Sequence, residues 1–313
     1  MSGPVTTADA TATPALDSSV VCDVEVIEGR TAQVAGFGVR RVLPRRQRRT
    51  VGAWCFADQI GPGSVTQERG LDIGPHPHIG LQTVTWLQRG AILHRDSLGS
   101  EQLIRPGQLN LMTAGHGVAH SEETGGVYTG ELHGIQLWVA QPSSARNGEA
   151  AFEHHAELPQ QDAGNAIATV IIGEYMGMSS PARRDTDHIG VALELHQGPV
   201  ELPLDRQFEH AVIALDTPLR VEGCPLAQGS LGYLGLARDV LRIETSEPAH
   251  VLLIGGRPFP EPLLMWWNYV ARTREEVTAA HEAWMSHDDR FGVVTSRLNR
   301  MSTAPPSWTD SSR

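Results

Sequence analysis

Short apolar runs separated by glycine and proline turns dominate the chain from about residue 21 onward. In residues 84–99, an apolar run is followed by a glycine turn, a second apolar run and another turn. Residues 101–115 repeat this order around a Pro-Gly pair, and residues 132–142 contain a further run that ends at a proline. Short runs bounded by such turns predict β-strands rather than long helices.

The second half of the chain repeats the pattern after a polar, alanine-rich stretch at residues 143–165. Apolar runs with turns recur at 188–204, 210–223 and 230–256. Two β-rich halves of similar size indicate a duplicated all-β unit. We find no exact short-period repeat, so the duplication is architectural and not a solenoid.

One helix is predicted near the C-terminus. Thr273 is followed three residues later by Glu276, which is the spacing of a capping box. Apolar residues then recur at helical intervals. The pattern predicts an amphipathic helix at about residues 273–286.

Composition adds limits on partners and chemistry. The chain has 313 residues, of which 40% are hydrophobic, so it can bury a substantial core. Its formal net charge of −11 argues against nucleic acid as the main partner, because nucleic acid is itself negatively charged. Six arginines at residues 40–49 form a basic patch, which we interpret as decorating a strand and its turn. All 25 basic residues are Arg, so lysine-based Schiff-base chemistry is excluded.

The cysteine count and the N-terminus indicate a cytoplasmic protein without a membrane partner. The three cysteines contain no CxxC pair, so no disulfide framework is expected, and Cys55 and Cys224 are interpreted as small core residues. No stretch reaches the ~20 apolar residues of a spanning helix. Residues 1–20 lack the basic start and apolar core of a secretory signal and are predicted to be a disordered tail.

Two pairs of potential metal ligands stand out. His76 and His78 are two residues apart, and His120 and Glu122 repeat this spacing about forty residues later. Residues i and i+2 of a strand point to the same side. Three imidazoles and one carboxylate from two strands suit one divalent transition metal, such as Fe(II), Ni, Mn, Co or Cu, and leave about two of six coordination positions open.

Longer motifs resemble the N-terminal cupin domain of the pirin family over about residues 39–140. The stretches that carry the resemblance are residues 49–62, 75–99, 104–123 and 133–140, and residues 256–277 resemble the family's C-terminal segment more loosely. The resemblance implies an all-β bicupin, which has two jelly-roll-like β-barrel domains, with a short C-terminal α-helix. The ligands of the family's metal fall on His76, His78, His120 and Glu122.

The expected domain organisation follows from the pattern and the resemblance together. We assign a tail at 1–20, an N-terminal metal-binding cupin at 21–142, a connector at 143–175, a C-terminal cupin without a metal at 176–260, and a C-terminal segment at 261–313.

Further residues are candidates for supporting the ligands or contacting a substrate. Gln82 stands where cupins and most pirins have a Glu four residues after the second His of the motif, and an amide cannot act as a base near neutral pH. Glu122 therefore becomes the candidate base. His94 and His133 fall at family-like positions, and His116 shares the glycine-rich turn of His120.

The resemblance leaves the function open between classes. Pirin-like bacterial proteins include quercetin 2,3-dioxygenases, which implies opening of a flavonol-type ring with O₂ at a metal centre, with Fe(II) the metal we expect. The alternative is a non-catalytic metal- and redox-sensing regulatory protein that binds a protein partner. A third interpretation is a cupin that keeps its metal for stability alone. We expect a monomer in each case.

Overall fold

The computed structural model describes residues 22–309, and the predicted tail at 1–20 lies outside the described residues. The strands of the first half are β1 (Glu25–Glu28), β2 (Arg30–Val34), β3 (Phe37–Leu43), β4 (Trp54–Val65), β5 (Ile73–His78), β6 (Leu81–Arg89), β7 (Ile92–Asp96), β8 (Glu101–Ile104), β9 (Leu109–Thr113), β10 (Val118–Glu123), β11 (Gly130–Ala140) and β12 (Ala151–His155). The later elements are β13 (Gln160–Asp162), β14 (Ala166–Ile172), β15 (Glu174–Tyr175), β16 (Met178–Ser179), β17 (His188–Leu195), β18 (Gly198–Pro203), β19 (Glu209–Ala214), β20 (Leu219–Val221), β21 (Cys224–Leu226), β22 (Ser230–Gly235), β23 (Val240–Thr245), β24 (Ala249–Gly256), β25 (Leu264–Trp266), β26 (Tyr269–Ala271) and helix α1 (Arg274–Met285).

Four antiparallel sheets form two jelly-roll-like domains, which confirms the predicted all-β bicupin. In the first domain a four-stranded sheet in the order β5-β10-β7-β8 faces a seven-stranded sheet in the order β12-β9-β6-β11-β4-β3-β2. In the second domain a seven-stranded sheet in the order β1-β22-β19-β24-β17-β14-β13 faces a four-stranded sheet in the order β18-β23-β20-β21. The two large sheets pack against each other through a shared apolar core.

Strand β11 shows how alternation divides the first domain into two faces. Its residues Ile135, Leu137 and Val139 belong to the core between the two domains. The alternate residues Gln136 and Trp138 line a cavity inside the first domain. Successive strand residues point to opposite sides. Alternate positions along each strand of this sheet therefore face either the inside of the first domain or the interface with the second domain.

Strands near both ends of the predicted N-terminal domain join sheets that the predicted domain limits do not assign to them. Strand β1, which the prediction placed in the first domain, pairs with β22 of the second. The predicted connector at 143–175 contains β12, which completes the first domain's large sheet, and β14, which pairs with β17 of the second. These strands extend existing sheets at or near their edges, and their partners lie far along the chain, so local pattern does not reveal their membership.

The C-terminal segment packs on the outside of the first domain. The helix predicted at 273–286 is confirmed as α1, and Thr273 caps it by accepting a hydrogen bond from Glu276 N at 3.2 Å. Tyr269 is fully buried beneath the helix, and Val270 N donates to Ile79 O at 3.1 Å. This packing places the turn between β25 and β26 directly beside β5.

The expectation about cysteines is wrong for one pair, because Cys22 and Cys224 form a disulfide. Because β1 pairs with β22, Cys22 lies in the second domain next to Cys224, from which it is separated by 202 residues in sequence. Nothing in the local sequence around either cysteine predicts this contact. Cys55 is a buried free thiol, as expected, and burial raises its pKa to about 12. No helix within residues 22–309 is long and apolar enough to cross a membrane.

The arginine-rich run makes contacts within the chain. Arg40 Nη1 donates to Gln228 O at 2.9 Å, which links the first domain to the second. Arg48 pairs with Glu25 and lies 3.6 Å from the centre of the Tyr233 ring. These contacts give the run a structural role at the domain interface.

Candidate metal centre

The three predicted histidine ligands converge inside the first domain. Strands β5 and β10 are antiparallel neighbours, and His76 lies directly opposite His120. His78 follows on the same side of β5, so its ring joins the other two. One ring nitrogen from each of His76, His78 and His120 lies within 4.8 Å of the others, and all three side chains are buried. The spacing of the sequence motif thus becomes a compact donor set.

Backbone carbonyls orient two of the rings. His76 Nδ1 lies 2.9 Å from Gly74 O, and His78 Nδ1 lies 2.9 Å from Asn268 O in the turn between β25 and β26. A carbonyl only accepts, so each Nδ1 must carry the proton. This assignment leaves the Nε2 lone pair of both rings free for a metal.

A hydrogen-bonded chain orients the third ring. His120 Nδ1 lies 3.3 Å from His94 Nδ1, and His94 Nε2 lies 3.1 Å from Asp96 Oδ2. If His94 donates from Nε2 to the carboxylate, its Nδ1 accepts from His120, and His120 Nε2 is left unprotonated. The His94 ring is also stacked on Phe152 at 4.4 Å between ring centres. Burial raises the pKa of Asp96, but the bonds from His94 and Ser100 outweigh it and lower the pKa overall.

Burial keeps the cluster uncharged at neutral pH. Desolvation lowers the pKa of His76 to about 4 and holds the pKa values of His78 and His120 well below their usual range, and the mutual repulsion of the rings adds to the effect. His78 Nε2 and His120 Nε2 are 3.0 Å apart. Two nitrogens that each lie about 2.1 Å from one ion, with a nitrogen–ion–nitrogen angle of about 90°, are about 3 Å apart. The donor set therefore fits a divalent transition metal.

Glu122 reaches the same cavity without joining the three converging nitrogens. Between His120 and Glu122 the register against β5 shifts because β5 contains one extra residue there, so Glu122 lies opposite Ile73 on β5 and opposite His94 on β7. The carboxylate is buried and makes no hydrogen bond with any residue from 22 to 309, and burial raises its pKa to about 7. It is therefore a carboxylate whose protonation is balanced near neutral pH in the metal-free protein.

The cluster forms the inner end of a partly open cavity of about 400 Å³, a size typical of small-molecule sites. Phe56 and Trp138 are stacked at 4.0 Å and form one wall, and the Trp138 ring meets His78 edge-on at 5.2 Å. Trp267 and Met301 from the C-terminal segment line the cavity as well. The walls near the histidines are therefore largely aromatic and apolar.

Gln82, a predicted contact residue, does not reach this cavity. It lies opposite Val139 on β11 and opposite Thr113 on β9, and its Nε2 donates to Thr113 Oγ1 at 2.9 Å. Val139 belongs to the core between the domains. Paired antiparallel residues share a face, so Gln82 faces the second domain and its neighbour Thr83 faces inward.

Two other predicted contact residues also lie elsewhere. His133 is buried at the domain interface, where its Nε2 is 2.9 Å from Gln59 Nε2. His116 is exposed and borders a separate cavity with Arg146 and Arg290. Of the four candidates for ligand support or substrate contact, His94 alone touches the metal cluster.

Sequence reasoning missed several residues that shape the site. Asp96 stands two residues after His94 on β7, a spacing that could have marked the pair. Asn268 and Trp267 carry no such signal, because they come from a segment about 190 residues away from His78. The ion pair of Arg41 with Asp58 at the cavity wall was also missed, since the arginine run drew attention as a surface patch.

Comparison with known families identifies the chain. The family model described as Pirin matches residues 36–139, and the model for the Pirin C-terminal cupin domain matches residues 190–292. The chain belongs to the pirin family. The first match contains the three histidines and Glu122, so the metal cluster lies in the part of this pirin that the N-terminal family model covers.

Individual relatives extend over most of the chain. A Pseudomonas aeruginosa protein named "Putative quercetin 2,3-dioxygenase PA1205" is 43% identical over 90% of this pirin and 89% of its own length. A Caulobacter vibrioides "Pirin-like protein" is 34% identical over 83% of this chain and 92% of the relative. The crystal structure of quercetin 2,3-dioxygenase from Acinetobacter baumannii superposes with a TM-score of 0.88 at 42% identity, and covers 91% of this chain and 96% of that chain.

Proposed function

We propose that this pirin is a metal-dependent dioxygenase that opens the ring of a flavonol-type substrate with O₂. The observation that carries the proposal is a partly open, aromatic-lined cavity whose inner end is formed by three uncharged histidines. The names of the Pseudomonas relative and of the Acinetobacter structure support the same chemistry.

One divalent metal, with Fe(II) our first choice and Ni, Mn, Co or Cu acceptable to the same donors, would be held by His76, His78 and His120. We assign Glu122 as the fourth ligand, which leaves about two of six positions for substrate and O₂. When bound, the metal supplies Lewis-acid polarisation of adjacent oxygens and electron exchange with O₂.

The chain's own residues then have distinct tasks. Glu122 would accept the proton of the enol hydroxyl, because its carboxylate lies in the same cavity as the histidines and burial favours its neutral, protonated form. Trp138 and Phe56 hold the flat rings and exclude water from the inner end of the cavity. Because Gln82 faces the domain interface, its lack of basicity does not weigh against this assignment.

Metal-loaded protein incubated with quercetin, with and without O₂, tests the proposal. We expect an O₂-dependent loss of the flavonol absorbance. Glu122→Gln should keep quercetin binding and lower the rate per bound metal by about 10²–10⁴-fold. His76→Ala should lose both metal, measured by elemental analysis, and turnover. An unchanged flavonol spectrum in aerated, metal-loaded wild-type protein would refute the enzymatic assignment.

The same experiment separates the enzyme from a regulatory protein. A closed barrel with a charged rim would favour a partner-binding role, whereas the observed cavity admits a small aromatic molecule. We further propose that the protein is a monomer, since one chain is sufficient to bring the three histidines together, and that it acts in the cytoplasm. Size-exclusion chromatography coupled to light scattering tests the oligomeric state, and the oxidation state of Cys22 and Cys224 in fresh extract tests the compartment.

A further inference from the structure

A row of polar side chains crosses the inner face of the first domain's seven-stranded sheet. Each member lies directly opposite the next on the neighbouring strand, through six successive strands. In sheet order the members are His154 (β12), Asn110 (β9), Thr85 (β6), Gln136 (β11), Asp58 (β4) and Arg41 (β3). Directly paired antiparallel residues share a face, so this polar row lies on the same side of the sheet as the metal cluster.

Hydrogen bonds tie the polar row together in pairs. His154 Nδ1 lies 2.7 Å from Asn110 Oδ1, and Thr85 Oγ1 donates to Gln136 Oε1 at 2.8 Å. Arg41 Nε and Nη2 donate to the two carboxylate oxygens of Asp58 at 2.7 Å each. This ordered network fixes the direction of each polar group.

The polar row interrupts the otherwise apolar surface that the sheet presents to the cavity. It is flanked on one side by Phe56 and Trp138 and on the other by Ile60, all on the cavity face. Burying polar side chains between apolar rows costs free energy unless they are bonded, and desolvation raises the pKa of Asp58 despite its ion pair. Apolar residues at these positions would pack against the neighbouring rows at a lower cost. The polar side chains are therefore better explained by recognition of a ligand in the cavity.

Three members of the polar row, Arg41, Asp58 and Gln136, line the cavity that ends at the histidines. Their bonds leave specific groups available. Arg41 Nη1 and Gln136 Nε2 have no acceptor among the side chains and backbone of residues 22–309, and the Asp58 oxygens retain unused lone pairs. The guanidinium is steadied by Phe56, whose ring centre is 4.6 Å from Arg41 Cζ.

We propose that this part of the polar row selects the substrate by its ring hydroxyl groups. The ligand class is a flat, polyhydroxylated aromatic whose chelating oxygens face the histidines, while hydroxyls elsewhere on its rings donate to Asp58 and accept from Arg41 and Gln136. The inference rests on the proposed function for the chelating end of the ligand and adds the element that recognises the rest of it.

The expected discrimination follows from unpaired polar groups. A ligand without the extra hydroxyls would displace water from Arg41, Asp58 and Gln136 and offer no hydrogen bond in return, so the donors and the acceptor that it covers would be left unsatisfied. One or two lost hydrogen bonds of ordinary strength correspond to about a tenfold change in affinity.

Anaerobic binding of two flavonols to the metal-loaded protein tests the inference. Quercetin and 3-hydroxyflavone share the adjacent hydroxyl and carbonyl, but 3-hydroxyflavone lacks the other ring hydroxyls. Tryptophan fluorescence quenching should show at least about tenfold tighter binding of quercetin to the wild type. Gln136→Met should bring the affinity ratio toward one while 3-hydroxyflavone binding stays within about twofold.

The second domain supplies a matched control. Gln160 Nε2 donates to Thr169 Oγ1 at 3.1 Å across β13 and β14, which is a similar cross-strand Gln–Thr contact far from the cavity. Gln160→Met should leave the ratio unchanged. If Gln136→Met does not fold, Arg41→Met serves instead, because Arg41 is partly exposed and its replacement should lower the same ratio.

The outcomes separate the two proposals. Equal affinities of the wild type for both flavonols, with O₂-dependent turnover intact, would overturn the selection by the polar row and leave the dioxygenase proposal standing. An unchanged ratio in a folded Gln136→Met or Arg41→Met protein would overturn it as well. Binding of neither flavonol would overturn both proposals.

Discussion

Replacing His94 with Phe should weaken metal binding by about ten- to a hundredfold while the first domain stays folded. The ring of His94 is buried and stacked on Phe152 with an interplanar angle of 13°. A phenyl ring preserves this stack and nearly the same volume. The substitution removes the nitrogen that holds His120 Nδ1 at 3.3 Å and the one that contacts Asp96.

The magnitude follows from the tautomer of His120. Metal binding through Nε2 requires the proton on Nδ1, and without His94 this buried N–H has no partner. An unsatisfied buried donor costs about 1–3 kcal/mol. The metal-free protein avoids most of that cost, because His120 can move its proton to Nε2. The cost of the unsatisfied N–H is therefore incurred mainly in the metal-bound protein and weakens metal binding. Every 1.4 kcal/mol corresponds to about a tenfold change in affinity.

A competition titration against a chromophoric chelator, with Co(II) or Ni(II) at fixed pH, measures the affinity. His133→Phe is the matched control, because His133 is also buried on a strand of the first domain but contacts Gln59 at the domain interface. It should lower the thermal midpoint and leave metal affinity unchanged. Folded His94→Phe protein that binds metal within about twofold of the wild type would refute the tautomer argument, as would an equal loss of affinity in His133→Phe.

Two further predictions concern acid and thiols. The pKa of His76 is lowered from 6.5 to about 4 on folding, so between these pH values the unfolded chain binds more protons, and the metal-free protein should lose stability as the pH falls, by on the order of 3 kcal/mol for this residue. The raised pKa of Glu122 opposes this trend between 4.5 and about 7 but is outweighed by the other two ligand histidines. Urea unfolding at pH 7 and pH 5, with a shallower dependence in His76→Phe, checks this, and equal or greater wild-type stability at pH 5 would contradict it. Protein kept free of reductant should show no reactive thiol when native and one, from Cys55, when denatured, since Cys22 and Cys224 are paired; three thiols in the denatured protein would disprove the pairing.

Local spacing determined the outline of the metal centre. The pairs His76/His78 and His120/Glu122 each lie two residues apart, and a strand puts such residues on one side, so all four reach one cavity although only the three histidines converge. The alternation of apolar runs and turns likewise determined the all-β class, and the Thr273–Glu276 spacing determined the start of α1. These are properties of neighbouring residues, so no knowledge of distant contacts was needed.

Tertiary structure decided everything that depends on which strand lies beside which. Gln82 and His133 looked suited to the site, but the pairing of β6 and β11 turns them toward the second domain. Asn268 orients His78 from 190 residues away, and Cys22 meets Cys224 because β1 joins the second sheet. The polar row exists only as a register across six strands. Face, register and long-range pairing are set by the packing of whole sheets, and a single strand's sequence does not contain them.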